Sequence, residues 1–221
     1  MIEPLPADAT LDEIRAGLAP LLAANAAFDG WGDIARDAAA DAVGVDRDVA
    51  LLAFPGGAVD MISAWFAYVD AAMLVALPPE RLASMKIREK IAALVEARLE
   101  AVARDREALR RALAILAMPQ NLAAATRLAW HAADVMWRAA GDTATDYNHY
   151  TKRTILAGVY GATVTVFLDD DSADYADTRA FLARRIDGIM TFEKAKARLL
   201  GRGQHRPSLS RFIGRLRYPA V

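Results

Sequence analysis

The sequence predicts an all-helical protein. Apolar residues recur at intervals of three and four, as at Ile87, Ile91, Leu94 and Val95, which is the spacing of one face of an α-helix. Alanine, leucine and charged residues fill the stretches between the prolines and glycines, and these residues favour helices. The chain has 221 residues, of which 55% are hydrophobic. This is enough to bury a core in one domain or in two small ones.

Glycine and proline divide the first part of the chain into four predicted helices, at residues 10–26, 33–43, 47–54 and 57–76. Gly44 marks the turn between the second and the third helix, and residues 55–57 separate the third from the fourth. Pro78 and Pro79 then divide these short helices from longer ones. We therefore predict a first module at residues 1–78.

Longer helices follow, predicted at residues 84–103, 105–117, 120–140, 147–168 and 173–200. Gly141 can end one helix and Asp146 can cap the next. The acidic run from Asp169 to Asp177 is typical of a solvated connection that caps the last long helix. We predict a second domain at residues 79–201. Residues 202–221 form a third segment, with a flexible linker and a short amphipathic basic helix at residues 208–217.

Residues 30–66 have the outline of a helix-turn-helix and resemble the N-terminal domain of TetR-type repressors. A DNA reader needs lysine or arginine to contact phosphates. Between Asp33 and Asp60, however, six acids face only two bases, Arg36 and Arg47. We therefore expect a degenerate structural module and no nucleic-acid partner. The alternative is a TetR-type transcriptional regulator that responds to a hydrophobic ligand.

The formal net charge of −1 conceals two halves of opposite sign. Residues 1–80 carry 13 acids and 3 bases, whereas residues 81–221 carry 15 acids and 24 bases. The first thirty residues have no basic region before an apolar run, so no signal peptide is expected. The longest uncharged stretch in the second half covers residues 155–168 and is shorter than the roughly 20 residues that cross a bilayer. We expect no membrane-spanning helix.

Residues 130–189 contain a long ordered series of uncommon residue types: Trp130, Asp134, Trp137, Gly141, Asp142, Asp146, Asn148, Tyr150, Thr151, Arg153, Leu156, Tyr160, Thr163, Leu168, Asp170 or Asp171, Ser172, Thr178, Phe181, Leu182, Arg185 and Ile186. On these residues the segment closely resembles the Coq-nine family of ubiquinone-biosynthesis accessory lipid-binding proteins. So many uncommon residue types in order are more specific than a short motif. Ala144, where serine is common, and His149, where some members carry tryptophan, depart from the family pattern.

The resemblance implies a TetR-like helical bundle with a larger C-terminal lipid-binding domain. It also implies a homodimer that is not an enzyme and binds a polyprenyl quinone precursor or a phospholipid in a hydrophobic cavity. Such proteins assist the di-iron demethoxyubiquinone hydroxylase at the membrane. We accordingly expect no cofactor other than a bound lipid, and a cytoplasmic location, peripheral on the inner face of the membrane.

The apolar residues around the predicted helix at 147–168 are the candidates for the lipid site: Trp130, Val135, Met136, Trp137, Leu156, Tyr160, Val164, Phe167 and Phe181. An isoprenoid tail needs apolar burial above all, worth about 0.8 kcal/mol per methylene-sized group. Without the resemblance, the same residues would be ordinary core.

Tyrosine and basic residues are concentrated just before this apolar helix. A partner-binding patch would use such residues as anchors, and the resemblance makes the hydroxylase the expected partner. The candidate residues are Asp142, Asp146, Asn148, His149, Tyr150, Lys152 and Arg153. The alternative is a plain connection between two helices, which accounts for Gly141, Asp142 and Asp146 but not for the others.

The C-terminal segment has the pattern of a basic amphipathic helix. Leu209, Phe212, Ile213 and Leu216 fall on one face at helical spacing, with Arg211 and Arg215 opposite. Anionic headgroups contribute about 1 kcal/mol for each nearby base, so these six residues are the candidates for membrane binding. The alternative is packing on the protein itself or on a dimer mate.

Metal and catalytic motifs are weak. His131, His149 and His205 have no second ligand at a reliable metal spacing. The acidic run lacks the glycine and the glutamate of an EF-hand loop, and no cysteine is present for thiolate chemistry. We therefore expect neither a metal site nor a catalytic residue.

Overall fold

The computed structural model describes the backbone of residues 5–6, 8–143 and 147–203, and the side chains of all of these except residues 147–148 and 190–203. Throughout these ranges the chain forms helices joined by turns, and no strand occurs among them. The predicted all-helical class is confirmed.

Ten α-helices follow one another along the described chain. They are α1 Leu11–Asp29, α2 Asp33–Val43, α3 Arg47–Ala53, α4 Ala58–Ala76, α5 Pro79–Ala83, α6 Ile87–Val102, α7 Arg106–Leu116, α8 Leu122–Ala139, α9 Tyr147–Leu168 and α10 Ala176–Gly203. Helix α5 differs from the prediction. Pro78 and Pro79 do more than divide the chain, because a proline at the first helical position suits helix initiation and Pro79 begins α5.

Local sequence fixes several helix ends. Thr10 caps α1 and forms a capping box with Glu13, whose carboxylate accepts a hydrogen bond from the Thr10 backbone at 2.7 Å. Gly44 adopts a left-handed conformation (φ 73°) and ends α2, which glycine does without strain. Asp46 accepts hydrogen bonds from the backbone N–H groups of Asp48 and Val49 and so begins α3. The predicted helix-turn-helix boundaries are therefore closely matched.

Two tryptophans connect the N-terminal helices to the rest of the bundle. Trp31 and Trp65 are buried with their ring centroids 5.4 Å apart. The Trp31 indole N–H donates to the carbonyl of Ala108 in α7 at 2.9 Å. Helix α1 also contacts α2, α4 and α7. The N-terminal helices therefore share one core with the middle of the chain.

The expectation of no membrane-spanning helix does not account for helix α4. By length and composition alone it is apolar enough to cross a bilayer, although core helices of soluble proteins pass the same test. Only 33% of the tested stretch is buried. The expectation rested on uncharged stretches in the second half of the chain and overlooked α4, which contains just two charged residues, Asp60 and Asp70.

A buried ion pair crosses the centre of the bundle. Asp70 of α4 and Arg98 of α6 form a salt bridge with their side chains 8% and 2% exposed. The Arg98 Nε donates to the hydroxyl of Tyr160 in α9 at 3.0 Å, and the Arg98 guanidinium lies 5.3 Å from the Tyr160 ring centroid. His131 of α8 approaches Asp70 at 3.8 Å. Four helices thus meet at one charged cluster.

The chain divides into two compact units after Leu182. In its described part, the second unit consists of the stretch of α10 from Ala183 to Gly203. The predicted division into residues 1–78, 79–201 and 202–221 stays a prediction. The predicted helix at residues 208–217 lies outside the described residues.

Removing Arg98 should destabilise the protein strongly, because a buried charge without its partner costs more than the pair contributes. We expect Arg98→Met to lower the free energy of unfolding by about 3–5 kcal/mol. Adding Asp70→Leu should recover most of that loss, since no unpaired buried charge then remains. Urea unfolding of the two variants measures this. A double variant no more stable than Arg98→Met would contradict it.

Candidate functional site

Arg153 holds α8 and α9 together. Its side chain is 1% exposed and lies between two carboxylates. Its Nε donates to Asp134 of α8 at 2.6 Å, and its Nη1 donates to Asp142, just after α8, at 3.1 Å. The same Nη1 donates to the His149 carbonyl at 3.1 Å. A guanidinium presents several donors in one plane, so it can satisfy both acids at once.

Lys152 adds a second connection beside the first. Its ammonium donates to Asp142 at 2.7 Å and lies 5.3 Å from the ring centroid of Trp137. The Trp137 indole N–H in turn donates to the Lys152 carbonyl at 3.1 Å. Arg138 of α8 pairs with Asp134 at 2.8 Å. We call this group of residues, Asp134, Trp137, Arg138, Asp142, Lys152 and Arg153, the α8–α9 clamp.

The clamp keeps its two acids ionised. Burial raises the pKa of Asp134. The hydrogen bond from Arg153 and the charges of Arg138 and Arg153 lower this pKa by a larger amount, so it lies below its usual value. Burial likewise raises the pKa of Asp142, and the hydrogen bonds and charges of Lys152 and Arg153 outweigh this effect. Both carboxylates are therefore charged at neutral pH.

An aromatic surface group lies beside the clamp. The Tyr150 ring centroid is 5.9 Å from that of Trp130 and 5.1 Å from that of His149. Tyr150 is 61% exposed, while Trp130 and His149 are half-buried. We call these three residues the aromatic patch. Trp130 comes from α8 and the other two from α9, so the clamp sets the geometry of the patch.

The structure separates the predicted partner-binding residues into two kinds. Asp142 and Arg153 are buried within the clamp, and Lys152 also contributes to it. Tyr150 and His149 belong to the aromatic patch. Asp146 and the side chain of Asn148 lie outside the described residues. Partner binding stays a prediction for all seven, but the geometry gives Arg153 and Asp142 a positioning role. Trp130 is predicted only as a lipid-binding residue, but the packing of α8 on α9 brings it to the aromatic patch.

The nine predicted lipid-binding residues do not share one environment. Met136, Leu156, Val164 and Phe167 are buried, and Val135 and Phe181 are half-buried. The half-buried Trp137 belongs to the clamp, Trp130 to the patch and Tyr160 to the buried ion-pair cluster. Phe167 packs against Tyr175 at 4.9 Å between ring centroids. Lipid binding by this set stays a prediction.

The cavities that described residues line include two near the elements discussed above. One, of about 390 Å³, lies between α1 and α4 and is lined by none of the nine predicted lipid-binding residues. The other, of about 90 Å³, includes Phe167 together with Leu99, Tyr175 and Leu182. A volume of about 90 Å³ is too small for an isoprenoid tail, so a tail bound beside Phe167 would have to displace neighbouring side chains.

The acidic run caps the start of α10, as predicted, because Asp170 accepts a hydrogen bond from the backbone of Thr178. Asp170 is buried, however, rather than solvated. Asp170 is 5% exposed and accepts hydrogen bonds from the backbone and hydroxyl of Thr178 at 2.8 and 2.5 Å. Burial raises the pKa of Asp170, but the hydrogen bonds from Ser172 and Thr178 outweigh it and hold the pKa far below its usual value. The Leu168 carbonyl, at the end of α9, accepts from Arg106 and Arg110, each at 2.8 Å.

Both arginines of the helix-turn-helix form ion pairs with aspartates of the same motif. Arg36 pairs with Asp33 at 2.7 Å and with Asp37 at 2.8 Å. Arg47 pairs with Asp41 at 2.6 Å. In a DNA-binding protein the second helix of the motif reads the major groove, but here α3 presents Leu51 and Leu52, 50% and 66% exposed. Such a surface would not attract a phosphate backbone.

These features define an all-helical bundle of the TetR type in which α8 and α9 are held together by buried charge. A solved structure of a TetR transcriptional regulator from Nitrosomonas europaea matches with a TM-score of 0.61 over 79% of this chain and 96% of that one. Its sequence identity is 21%, so the likeness concerns the fold. The predicted TetR-like class is confirmed.

The more particular likeness covers the segment from α8 into α10, because residues 122–193 match the COQ9 family model. The rat "Ubiquinone biosynthesis protein COQ9, mitochondrial" is 44% identical over 96 residues, which is 43% of this chain and 31% of that protein. The human protein of the same name is 41% identical over 43% of this chain and 30% of its own length. The Drosophila melanogaster protein is 28% identical over 81% and 56%. The matched segments thus span less than a third of the mammalian relatives. The predicted resemblance is confirmed over this region.

Arg153→Met should destabilise the clamp, because Asp134 and Asp142 then lose a shared buried partner. We expect the free energy of unfolding to fall by about 3 kcal/mol, whereas Arg127→Met, at an exposed position of α8, should change it by less than about 0.5 kcal/mol. Urea unfolding at neutral pH compares the two variants. Equal stabilities would show that Arg153 is not a structural centre.

The clamp should also make stability fall in acid. The folded pKa values of Asp134 and Asp142 lie below the usual 3.8, so their contribution is complete above that value and is lost as the pH falls through the lowered pKa values. We expect wild type to lose stability below about pH 4 more steeply than Arg153→Met. Parallel curves of stability against pH would contradict this.

Proposed function

We propose that this chain is a non-enzymatic, lipid-binding accessory protein of ubiquinone biosynthesis. The observation that carries the proposal is the match of residues 122–193 to the COQ9 family model, together with relatives named as ubiquinone biosynthesis proteins. The matched segment includes the whole of α8 and α9 and therefore both the clamp and the aromatic patch.

The proposed ligand is a polyprenyl quinone precursor or a phospholipid. Helix α9 offers a long apolar surface, with Leu156, Val164 and Phe167 directed into the bundle. An apolar tail could replace the packing of such side chains, since both interactions are non-directional. Tyr160 is the proposed contact for a polar end of the ligand, because its hydroxyl accepts a hydrogen bond from Arg98 and has a proton of its own to donate.

The proposed partner is the di-iron demethoxyubiquinone hydroxylase, and the aromatic patch is the proposed contact. Exposed tyrosine and tryptophan are the residue types that contribute most to protein interfaces. The clamp fixes the backbone beneath Tyr150, so less conformational entropy would be lost when a partner binds. Tyr150 is the exposed centre of the patch, and His149 and Trp130 surround it.

The proposed location is the membrane surface, where the hydroxylase substrate would be found. Relatives are named as mitochondrial proteins, and for this chain we propose a cytoplasmic protein, peripheral on the inner face of the membrane. The sequence of residues 208–217 supports this, because Phe212 and Ile213 can enter the interface while Arg211 and Arg215 contact anionic headgroups. We also propose that the protein forms a homodimer.

Native mass spectrometry followed by organic extraction tests the ligand and the oligomer together. We expect a dimer that carries isoprenoid or phospholipid, and a deletion strain that accumulates the substrate of the hydroxylase. Re-expression of the wild-type chain should restore the quinone level. A lipid-free protein from cells rich in quinone precursors, together with normal quinone in the deletion strain, would overturn the proposed function.

Tyr150→Ser should weaken binding to the hydroxylase by about 2 kcal/mol, or about thirtyfold in Kd. Phe28→Ser is the matched control, because Phe28 is also an exposed aromatic residue, 82% exposed, at the end of α1. Surface plasmon resonance with the purified hydroxylase compares them. Equal losses in the two variants, or no loss in Tyr150→Ser, would remove the patch from the proposed interface.

A further inference from the structure

The outward face of α4 is unusually apolar for an exposed surface. Tyr68 and Leu74 are each 42% exposed, and Val75 is 82% exposed. Ala67, next to Tyr68, and Ala71, between Tyr68 and Leu74, are also exposed, so the five residues share a single face of the helix. We call this row the α4 stripe. It lies on the helix that is apolar enough to cross a bilayer although only 33% of its tested stretch is buried.

A groove between α1 and α4 adjoins the stripe. It is the cavity of about 390 Å³, and its lining includes Ala16 of α1 and Ala64, Ala67, Tyr68 and Ala71 of α4. Alanine side chains project little, so a helix packed here could approach the backbone of α4 closely. From Ala64 in the groove to Val75 in the stripe, helix α4 rises about 16 Å. That length is about three helical turns.

The edge of the groove is acidic. Asp12, whose side chain is 91% exposed, and Asp60 both line it. Arg15 lines it as well, donates through Nε to the Ala53 carbonyl and pairs through Nη1 with Asp12 at 3.4 Å. Asp60 accepts from the Gly56 backbone at 2.7 Å, and the two acids and one base leave a net charge of −1. The surrounding residues 1–80 carry 13 acids and 3 bases. The local field therefore favours a cationic partner and disfavours an anionic membrane surface.

We propose that the α1–α4 groove and the α4 stripe form a docking site for a basic amphipathic helix of a partner protein. The apolar face of that helix packs on the alanines and on Leu74 and Val75, and its lysines or arginines face Asp12 and Asp60. This is the recognition of an amphipathic helix by an apolar groove. The site lies outside residues 122–193 and shares no residue with the proposed lipid and hydroxylase contacts.

The test uses the full-length chain and two labelled peptides of about 12 residues, or about 18 Å as helices. In both peptides leucine recurs at helical spacing; the remaining positions are lysine in one and glutamate in the other. Fluorescence anisotropy should show binding of the lysine peptide at least about tenfold tighter than binding of the glutamate peptide. Raising the salt concentration should weaken the binding of the lysine peptide.

Ala71→Lys places a cation and a long side chain in the groove without opposing helix formation. This variant should bind the lysine peptide with an affinity about tenfold lower, or more. Ala180→Lys is the matched control, because Ala180 is an exposed alanine of α10, and this variant should bind as wild type does. Thermal unfolding by circular dichroism verifies that both variants are folded.

Three results would overturn the proposal. The first is equal binding of the two peptides, and the second is binding to Ala71→Lys within about twofold of wild type. The third is co-sedimentation of the peptide-free protein with phosphatidylcholine vesicles that Ala71→Lys abolishes, which would identify a bilayer as the occupant. None of these results bears on bound quinone or on the hydroxylase, so failure here and failure of the proposed function are distinguishable.

Discussion

The buried guanidinium of Arg153 is the interaction on which the α8–α9 region depends. It is held between Asp134 and Asp142 and contacts the backbone at His149. A buried charge is stable only where its counter-charges are well placed. Helix α9 must therefore begin at a fixed height and rotation relative to α8. The positions of Trp130, His149 and Tyr150 follow from that one requirement.

Polar contacts locate the rest of α9 as well, although most of its residues are apolar. Midway along the helix, Tyr160 meets the Asp70–Arg98 ion pair. At its end, the Leu168 carbonyl accepts from Arg106 and Arg110. Apolar packing is not directional, whereas these contacts have defined geometry. A helix positioned at its beginning, middle and end can keep its orientation while side chains between those points rearrange around a ligand.

Much of the fold could be predicted from local patterns. The helical spacing, Gly44 and the proline pair gave most helix boundaries to within a few residues, and α5 was missed because Pro79 was interpreted as a divider rather than as a first helical residue. The resemblance across residues 130–189 falls within the segment that matches the COQ9 family model. These inferences succeed because helix periodicity, caps and uncommon residue types are local properties of a sequence.

The roles within the site were less predictable. Arg153 and Asp142 resembled exposed anchors in the sequence, yet the fold buries them opposite each other, and only the packing of α8 against α9 determines this. The Asp70–Arg98 pair joins residues far apart in the chain and has no local pattern at all. The apolar residues around α9 are equally suited to core and to ligand, because one composition serves both. Pairing and burial are tertiary properties.

A double-mutant cycle on hydroxylase binding tests most directly whether the clamp positions the patch. Affinities are measured for wild type, Arg153→Met, Tyr150→Ser and the double variant at a temperature where all four are folded. If Arg153 acts by holding Tyr150 in place, the losses are not additive, and removing Tyr150 from Arg153→Met changes the affinity by less than about threefold. Additive losses would show that the two residues act independently and would contradict the account.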